Sequence, residues 1–204
     1  PDDADFGGFF KNQLLVRLKS DWALGSNTYR QGALIAIDYD KYLKGDRGFS
    51  VIAEPDERSS VRSFADTRNV LLVHMLNNVR SELYAYRLDN GRWMKQRIDA
   101  PELGTLGVVS TDERSDQYFL TYQGFLQPTS LYHVTDDGQM RVIKSLPHFF
   151  DANGLTTEQF EATSRDGTRI PYFVVRPREM KADGVNPTLL YGYGGFEIPM
   201  LPAY

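Results

Sequence analysis

The sequence of 204 residues contains no cysteine, which excludes disulfides and thiolate metal sites. It has no excess of positive charge: 23 Lys and Arg stand against 27 Asp and Glu, for a net charge of −4. The basic residues are scattered among the acids, so the electrostatic footprint of a nucleic-acid binder is missing. No apolar run approaches the roughly 20 residues that cross a bilayer as a helix, and no basic-then-apolar leader opens the chain. A soluble protein is expected, with the cytoplasm favoured over the periplasm and no membrane partner. Only three histidines occur, His74, His133 and His148, and they lack metal-ligand spacing, so neither a metal nor a cofactor is expected. No Gly-x-Ser-x-Gly nucleophile elbow occurs, and no serine is tied to a histidine and an acid by local pattern. Helix signals are weak throughout.

Aromatic residues are plentiful: 12 Tyr, 12 Phe and 2 Trp make 13% of the chain, a composition that suits half-buried strand surfaces. Residues 14–22 and 32–40 read as two strands joined by a polar loop over 25–31, followed by a turn at 44–48 and a short strand at 49–53. A second cycle runs through strands at 60–65, 69–75 and 81–88, then turns at Asp89-Asn90-Gly91 into the alternating stretch 92–98. Asn-Gly between alternating apolar residues is a strong hairpin signal. The third cycle repeats the second, with strands at 105–110, 117–122, 129–134 and 139–143 and a hairpin at Asp136-Asp137-Gly138.

The two hairpin glycines, Gly91 and Gly138, stand about 47 residues apart, within the range of about 40–50 that one four-stranded propeller blade takes. The pattern therefore predicts a mainly β protein, a partial β-propeller of about three antiparallel blades. A β-sandwich with accidental periodicity is the alternative. Propellers close with about four to eight blades, so further blades are expected on the N-terminal side, and both ends of the chain read as cut. Exposed blade edges make self-association by strand pairing an expectation as well.

The repeat stops near residue 150. Residues 148–154 read as a linker, 158–163 and 169–177 as a hairpin turning at Asp166-Gly167, and 187–191 as a compact apolar strand entering a glycine-rich loop. A continuous apolar strand of this kind suits the start of a buried α/β sheet. The loop, Tyr191 to Phe196, is the one local candidate for chemistry. Glycines let backbone N–H groups approach a developing anion, and a tyrosine hydroxyl can add a donor. It lacks the final glycine of a dinucleotide fingerprint and the lysine of a P-loop. The alternative is a tight turn with two packed aromatics.

The hairpin with Asp-Gly-Thr-Arg-Ile-Pro, the polar spacer and the string Tyr-Gly-Tyr-Gly-Gly-Phe together resemble the entry into the catalytic domain of the prolyl oligopeptidase family. Residues 122–132 are similar to that family's last propeller blade, where a Phe-Leu-x-Pro kink precedes a strand. The resemblance covers residues 60–204 well and the first cycle in outline. It implies residues 1–150 as the C-terminal part of a propeller and 151–204 as the linker and N-terminal strands of an α/β-hydrolase domain.

It further implies a serine endopeptidase that cuts short peptides after proline, with a Ser-His-Asp triad outside this chain and a propeller that limits substrate size. By the same resemblance Tyr193 stabilises the oxyanion and Phe196 lines the proline pocket. The related oligopeptidase B enzymes, which cut after Arg or Lys, share Tyr-Gly-Tyr-Gly but generally lack that Phe. A non-catalytic β-propeller interaction module is the remaining alternative. The 204 residues alone are expected to be inactive.

Overall fold

The computed structural model describes residues 1–196 and 198–204. The chain runs through β1 (Ala4–Phe10), β2 (Gln13–Leu18), β3 (Trp22–Leu24), β4 (Asn27–Tyr29), β5 (Leu34–Asp38), α1 (Tyr39–Leu43) and β6 (Ser50–Ala53). It continues with β7 (Ser59–Asp66), β8 (Leu71–Asn77), β9 (Arg80–Asp89), β10 (Arg92–Arg97), β11 (Thr105–Thr111), β12 (Tyr118–Gln123), β13 (Ser130–Val134) and β14 (Met140–Ser145). Two long strands, β15 (Leu155–Thr163) and β16 (Arg169–Pro177), follow. Three four-stranded antiparallel sheets result, in the orders β1-β2-β5-β6, β7-β8-β9-β10 and β11-β12-β13-β14. These are three consecutive propeller blades, and the hairpins at Gly91 and Gly138 both join the third strand of a blade to its fourth.

Burial follows from blade stacking. In the third blade β12 alternates buried and half-buried positions, as a strand packed chiefly on one face does. In the middle blade β8 is buried along nearly its whole length, because both of its faces are covered. Leu71, Val73 and Met75 meet Phe10, Leu15 and Leu34 of the first blade. Leu72 on the opposite face joins Leu106, Leu120 and Tyr132 of the third. The first strand of each blade carries a bulge at an equivalent place, between Phe6 and Gly8, Val61 and Ser63, and Val108 and Ser110. At the first of these, Gly7 packs so near the second blade that a Cβ would lie 2.9 Å from the Phe64 ring.

Polar groups lock the second and third blades together. Asp116 accepts hydrogen bonds from Thr67 Oγ1 (2.9 Å), the Asn69 backbone N–H (2.7 Å) and Arg87 Nη1 (3.1 Å). Burial pushes its carboxyl pKa up, but the bonds from Arg87, Thr67 and Asn69 outweigh this and hold it below the ordinary aspartate value. His74 is 4% exposed on the face of β8 that also carries Leu72. Its Nε2 has no hydrogen-bond partner among the described residues. Burial, helped by the charge of Arg62, lowers its pKa to about 4. His133 instead bonds through Nε2 to Gln117 Oε1 at 2.9 Å.

Two expectations need correction, and one strand was not anticipated. The polar loop over 25–31 contains half of a second small hairpin, β3–β4, whose Trp22, Leu24 and Tyr29 cover Leu18 and Ile35 on the far face of the first blade. The strand not anticipated is β1, in a stretch interrupted by Gly7 and Gly8, which pairs along β2 through a turn with Lys11 and Asn12 at positive φ. The predicted apolar strand at 187–191 is not a strand: the segment has no ladder partner among the described residues, and Leu189 and Leu190 are 92% and 94% exposed. A buried strand needs a neighbour for its backbone N–H and C=O groups, and apolar composition supplies none.

Candidate functional site

The hairpin β15–β16 forms its own two-stranded sheet, paired in unbroken register from Leu155 with Pro177 to Thr163 with Arg169. It is held against the second blade by a polar junction. Glu161 accepts from Asn78 Nδ2 at 3.0 Å and from Arg58 and Arg169. Gln159 donates through Nε2 to the Asn78 carbonyl at 2.7 Å and accepts from Arg80. Asn78 and Val79 form the tight β8–β9 turn with φ values of 50° and 57°. For a β-branched residue such as Val79 this is uncommon backbone, and it places the Asn78 carbonyl and amide against β15. Phe125, just beyond β12, meets Phe173 of β16 edge to face at 5.5 Å.

Past β16 the Arg178 N–H bonds the Gly154 carbonyl at 2.8 Å, and Asn186 folds the spacer by donating to the Lys181 carbonyl at 2.7 Å. The chain then leaves the protein surface through the glycine-rich loop. Tyr193 is 50% exposed, and its hydroxyl folds back over Gly195, where a Cβ would meet it at 3.0 Å. Phe196 is 91% exposed with φ of 55°, and the Ile198 N–H closes a turn on the Gly195 carbonyl at 3.2 Å. Phe196 thus lies within this turn, and the Tyr193 hydroxyl lies beside its first residue, Gly195. The chain afterwards returns to the third blade: the Pro202 carbonyl accepts from Thr105 Oγ1 at 2.6 Å, and Tyr204 stacks on Phe150 at 5.3 Å.

The model of the prolyl oligopeptidase N-terminal β-propeller domain matches residues 14–145. The chain belongs to the prolyl oligopeptidase family. It is 42% identical to an uncharacterized peptidase of Sinorhizobium fredii, over 100% of this chain and 29% of that protein. It is 33% identical to prolyl oligopeptidase A of Galerina marginata, over 85% of this chain and 23% of the relative. Among solved structures, a post-proline cleaving enzyme from Rickettsia typhi superposes with a TM-score of 0.84 at 28% identity, covering 100% of this chain and 30% of that one. Oligopeptidase B from Trypanosoma brucei superposes with a TM-score of 0.74 at 19% identity, over 98% and 28%, a likeness of fold alone. The chain therefore spans less than a third of the length of the relatives it matches.

The family's propeller accounts for the three blades, and β15–β16 is not a fourth one. No helix among the described residues is long and apolar enough to cross a membrane. Sequence reasoning missed the junction around Glu161 and the arginines near it. Their partners come from strands far apart in the chain, and no local spacing marks them.

Proposed function

We propose that residues 1–150 are the closing blades of a propeller and residues 151–204 the linker and opening strands of an α/β-hydrolase domain, in a serine endopeptidase that cleaves short peptides after proline. The observation that carries this reading is the joint presence of the family's propeller and the string Tyr191 to Phe196 just past a hairpin that is not a blade. The names of relatives support it, a prolyl oligopeptidase and a post-proline cleaving enzyme among them.

In this reading a serine outside the chain attacks the carbonyl carbon of the proline residue, a histidine takes the serine's proton and gives it to the leaving amine, and an aspartate orients the histidine. The propeller screens substrates by size. Tyr193 donates its hydroxyl to the oxyanion as the tetrahedral intermediate forms, and Phe196 packs on the proline ring. Two features of the loop fit such a task. Gly192 and Gly194 have open space where a Cβ would stand, and neither has positive φ, so nothing among the described residues demands a glycine there. Close approach of a substrate backbone does. The large exposed aromatics Tyr193 and Phe196 likewise gain a purpose only with a ligand or a covering domain. An oligopeptidase B specificity is the second reading, favoured by the shared fold and opposed by Phe196. Pairing between chains along the exposed outer strands β10 and β14 belongs to the same proposal, and sedimentation of the 204-residue chain reads it directly.

The test is kinetic. Tyr193→Phe in the longer enzyme keeps the ring and removes only the donor, so kcat should fall by about 10²–10³ with KM little changed. Phe196→Ala should chiefly reduce the preference for proline over alanine at the cut bond. The 204-residue chain alone should not turn over peptides above background. An unchanged kcat in Tyr193→Phe would reduce the loop to a structural turn.

A further inference from the structure

Between the first two blades and the β15–β16 hairpin lies a cavity of about 560 Å³. Four arginine residues line it: Arg17 from β2, Arg58 from the turn before β7, Arg62 from β7 and Arg169 from the start of β16. Among the described residues, Glu57 is the only acidic one in the lining. In a chain of net charge −4, four arginines from separate elements converging on one cavity reverse the local sign. Glu161 engages Arg58 and Arg169 at the rim. Among the described residues, Arg17 and Arg62 have no carboxylate within 4.0 Å.

The fold places Arg62 there by a specific device. It is the extra residue of the β7 bulge, between Val61 paired with Met75 and Ser63 paired with His74. A bulge re-aims the side chain it carries. The equivalent bulge positions of the neighbouring blades hold Gly7 and Val109, so the charge is particular to this blade. Arginine is suited to a carboxylate because its planar fork can donate two parallel hydrogen bonds. The remaining walls are partly apolar, with Val61, Leu76, Val79, Pro171 and Pro199. Walls of that kind suit a carboxylate attached to a peptide better than a bare inorganic ion.

We propose that this cavity is a subsite for a peptide carboxylate, held by Arg17 and Arg62, with the adjoining residues of the peptide against the apolar walls. The choice of a peptide rests on the peptidase reading. The charge argument does not, and binding is read without turnover, so failure of one is distinguishable from failure of the other.

Calorimetric titration of the 204-residue chain at low ionic strength tests it with four probes: N-acetyl-Ala-Pro-Ala as the free acid, the same peptide amidated, N-acetyl-Asp-Pro-Ala amide, and acetate. The free acid or the aspartyl amide should bind about tenfold or more tighter than the uncharged amide, as expected for charge-assisted bonds. Binding by the free acid alone assigns the site to a peptide C-terminus. Binding by the aspartyl peptide assigns it to an acidic side chain. Arg17→Gln and Arg62→Gln should each weaken the charged probe about tenfold without affecting the uncharged one, and Arg62→Lys should recover part of the loss. If a variant fails to fold, the salt dependence of the unaltered chain still decides, because added salt should weaken only the charged probes. Equal binding of acid and amide, acetate as tight as the peptides, or glutamine variants that bind like the parent would overturn the proposal.

Discussion

The middle and third blades and the segment 187–196 are built from similarly apolar residues, yet they meet opposite fates. Leu72 and Leu120 are 1% and 0% exposed, whereas Leu189 and Leu190 are almost fully exposed. Composition does not distinguish them. The difference is that each blade strand has a ladder partner in its own hairpin and a neighbouring sheet to pack on, and 187–191 has neither among the described residues. Blades are assembled from neighbours in sequence. A strand of a parallel sheet instead depends on partners that arrive through crossovers.

The largest expected effect tests this contrast directly. Leu120→Ala should cost about 2–5 kcal/mol, because the interface between the second and third blades would be left with a cavity. Leu190→Ala in the same chain should stay within about 0.5 kcal/mol. Urea unfolding of both variants reads the difference, and a comparable loss at Leu190 would show that the loop already packs on something.

A pH effect should separate the two regions next, since the segment 187–196 contains no histidine. His74 has a folded pKa lowered to about 4 by burial, with a smaller push from Arg62, against the ordinary 6.5. The unfolded chain therefore takes up a proton that the folded chain refuses. This contribution is fully present above pH 6.5, declines as pH falls, and levels off below about 4. It should cost the fold about 2 kcal/mol between pH 7 and 5. His74→Gln should flatten that part of the pH–stability curve, and a curve with the parent's slope would place the proton elsewhere.

The smallest contrast concerns glycine. Gly91 has φ of 78° in the β9–β10 turn, so Gly91→Ala should cost about 1 kcal/mol. Gly192 has neither positive φ nor a close neighbour, and Gly192→Ala should leave the stability of this chain almost unchanged. A marked loss at Gly192 would mean that the loop contributes to the fold itself.

These contrasts also show what was legible in the sequence. The hairpins at Asn90-Gly91 and Asp137-Gly138 could be read because turn chemistry is local, and they set the blade repeat. Strand β1 escaped notice because Gly7 and Gly8 interrupt it, and the glycine at 7 is explained by neighbours that only the fold supplies, Phe64 of the next blade at 2.9 Å and Leu15 of β2 at 3.1 Å from where a Cβ would stand. The β8–β9 turn carries Asn78-Val79 where a glycine would have signalled it. At 187–191 the apolar run was visible, but strand pairing is not a property of one segment. Tyr193 and Phe196 could be singled out from their motif. The cavity of Arg17, Arg58, Arg62 and Arg169 could not, since the fold alone brings β2, β7 and β16 together.

The central proposal is that this propeller belongs to a post-proline peptidase. Digestion of a mixed peptide library by the longer enzyme, with the new C-termini identified by mass spectrometry, tests it most directly. Cleavage after proline in short peptides, with longer ones spared, is the predicted result. Cleavage after arginine or lysine would contradict it.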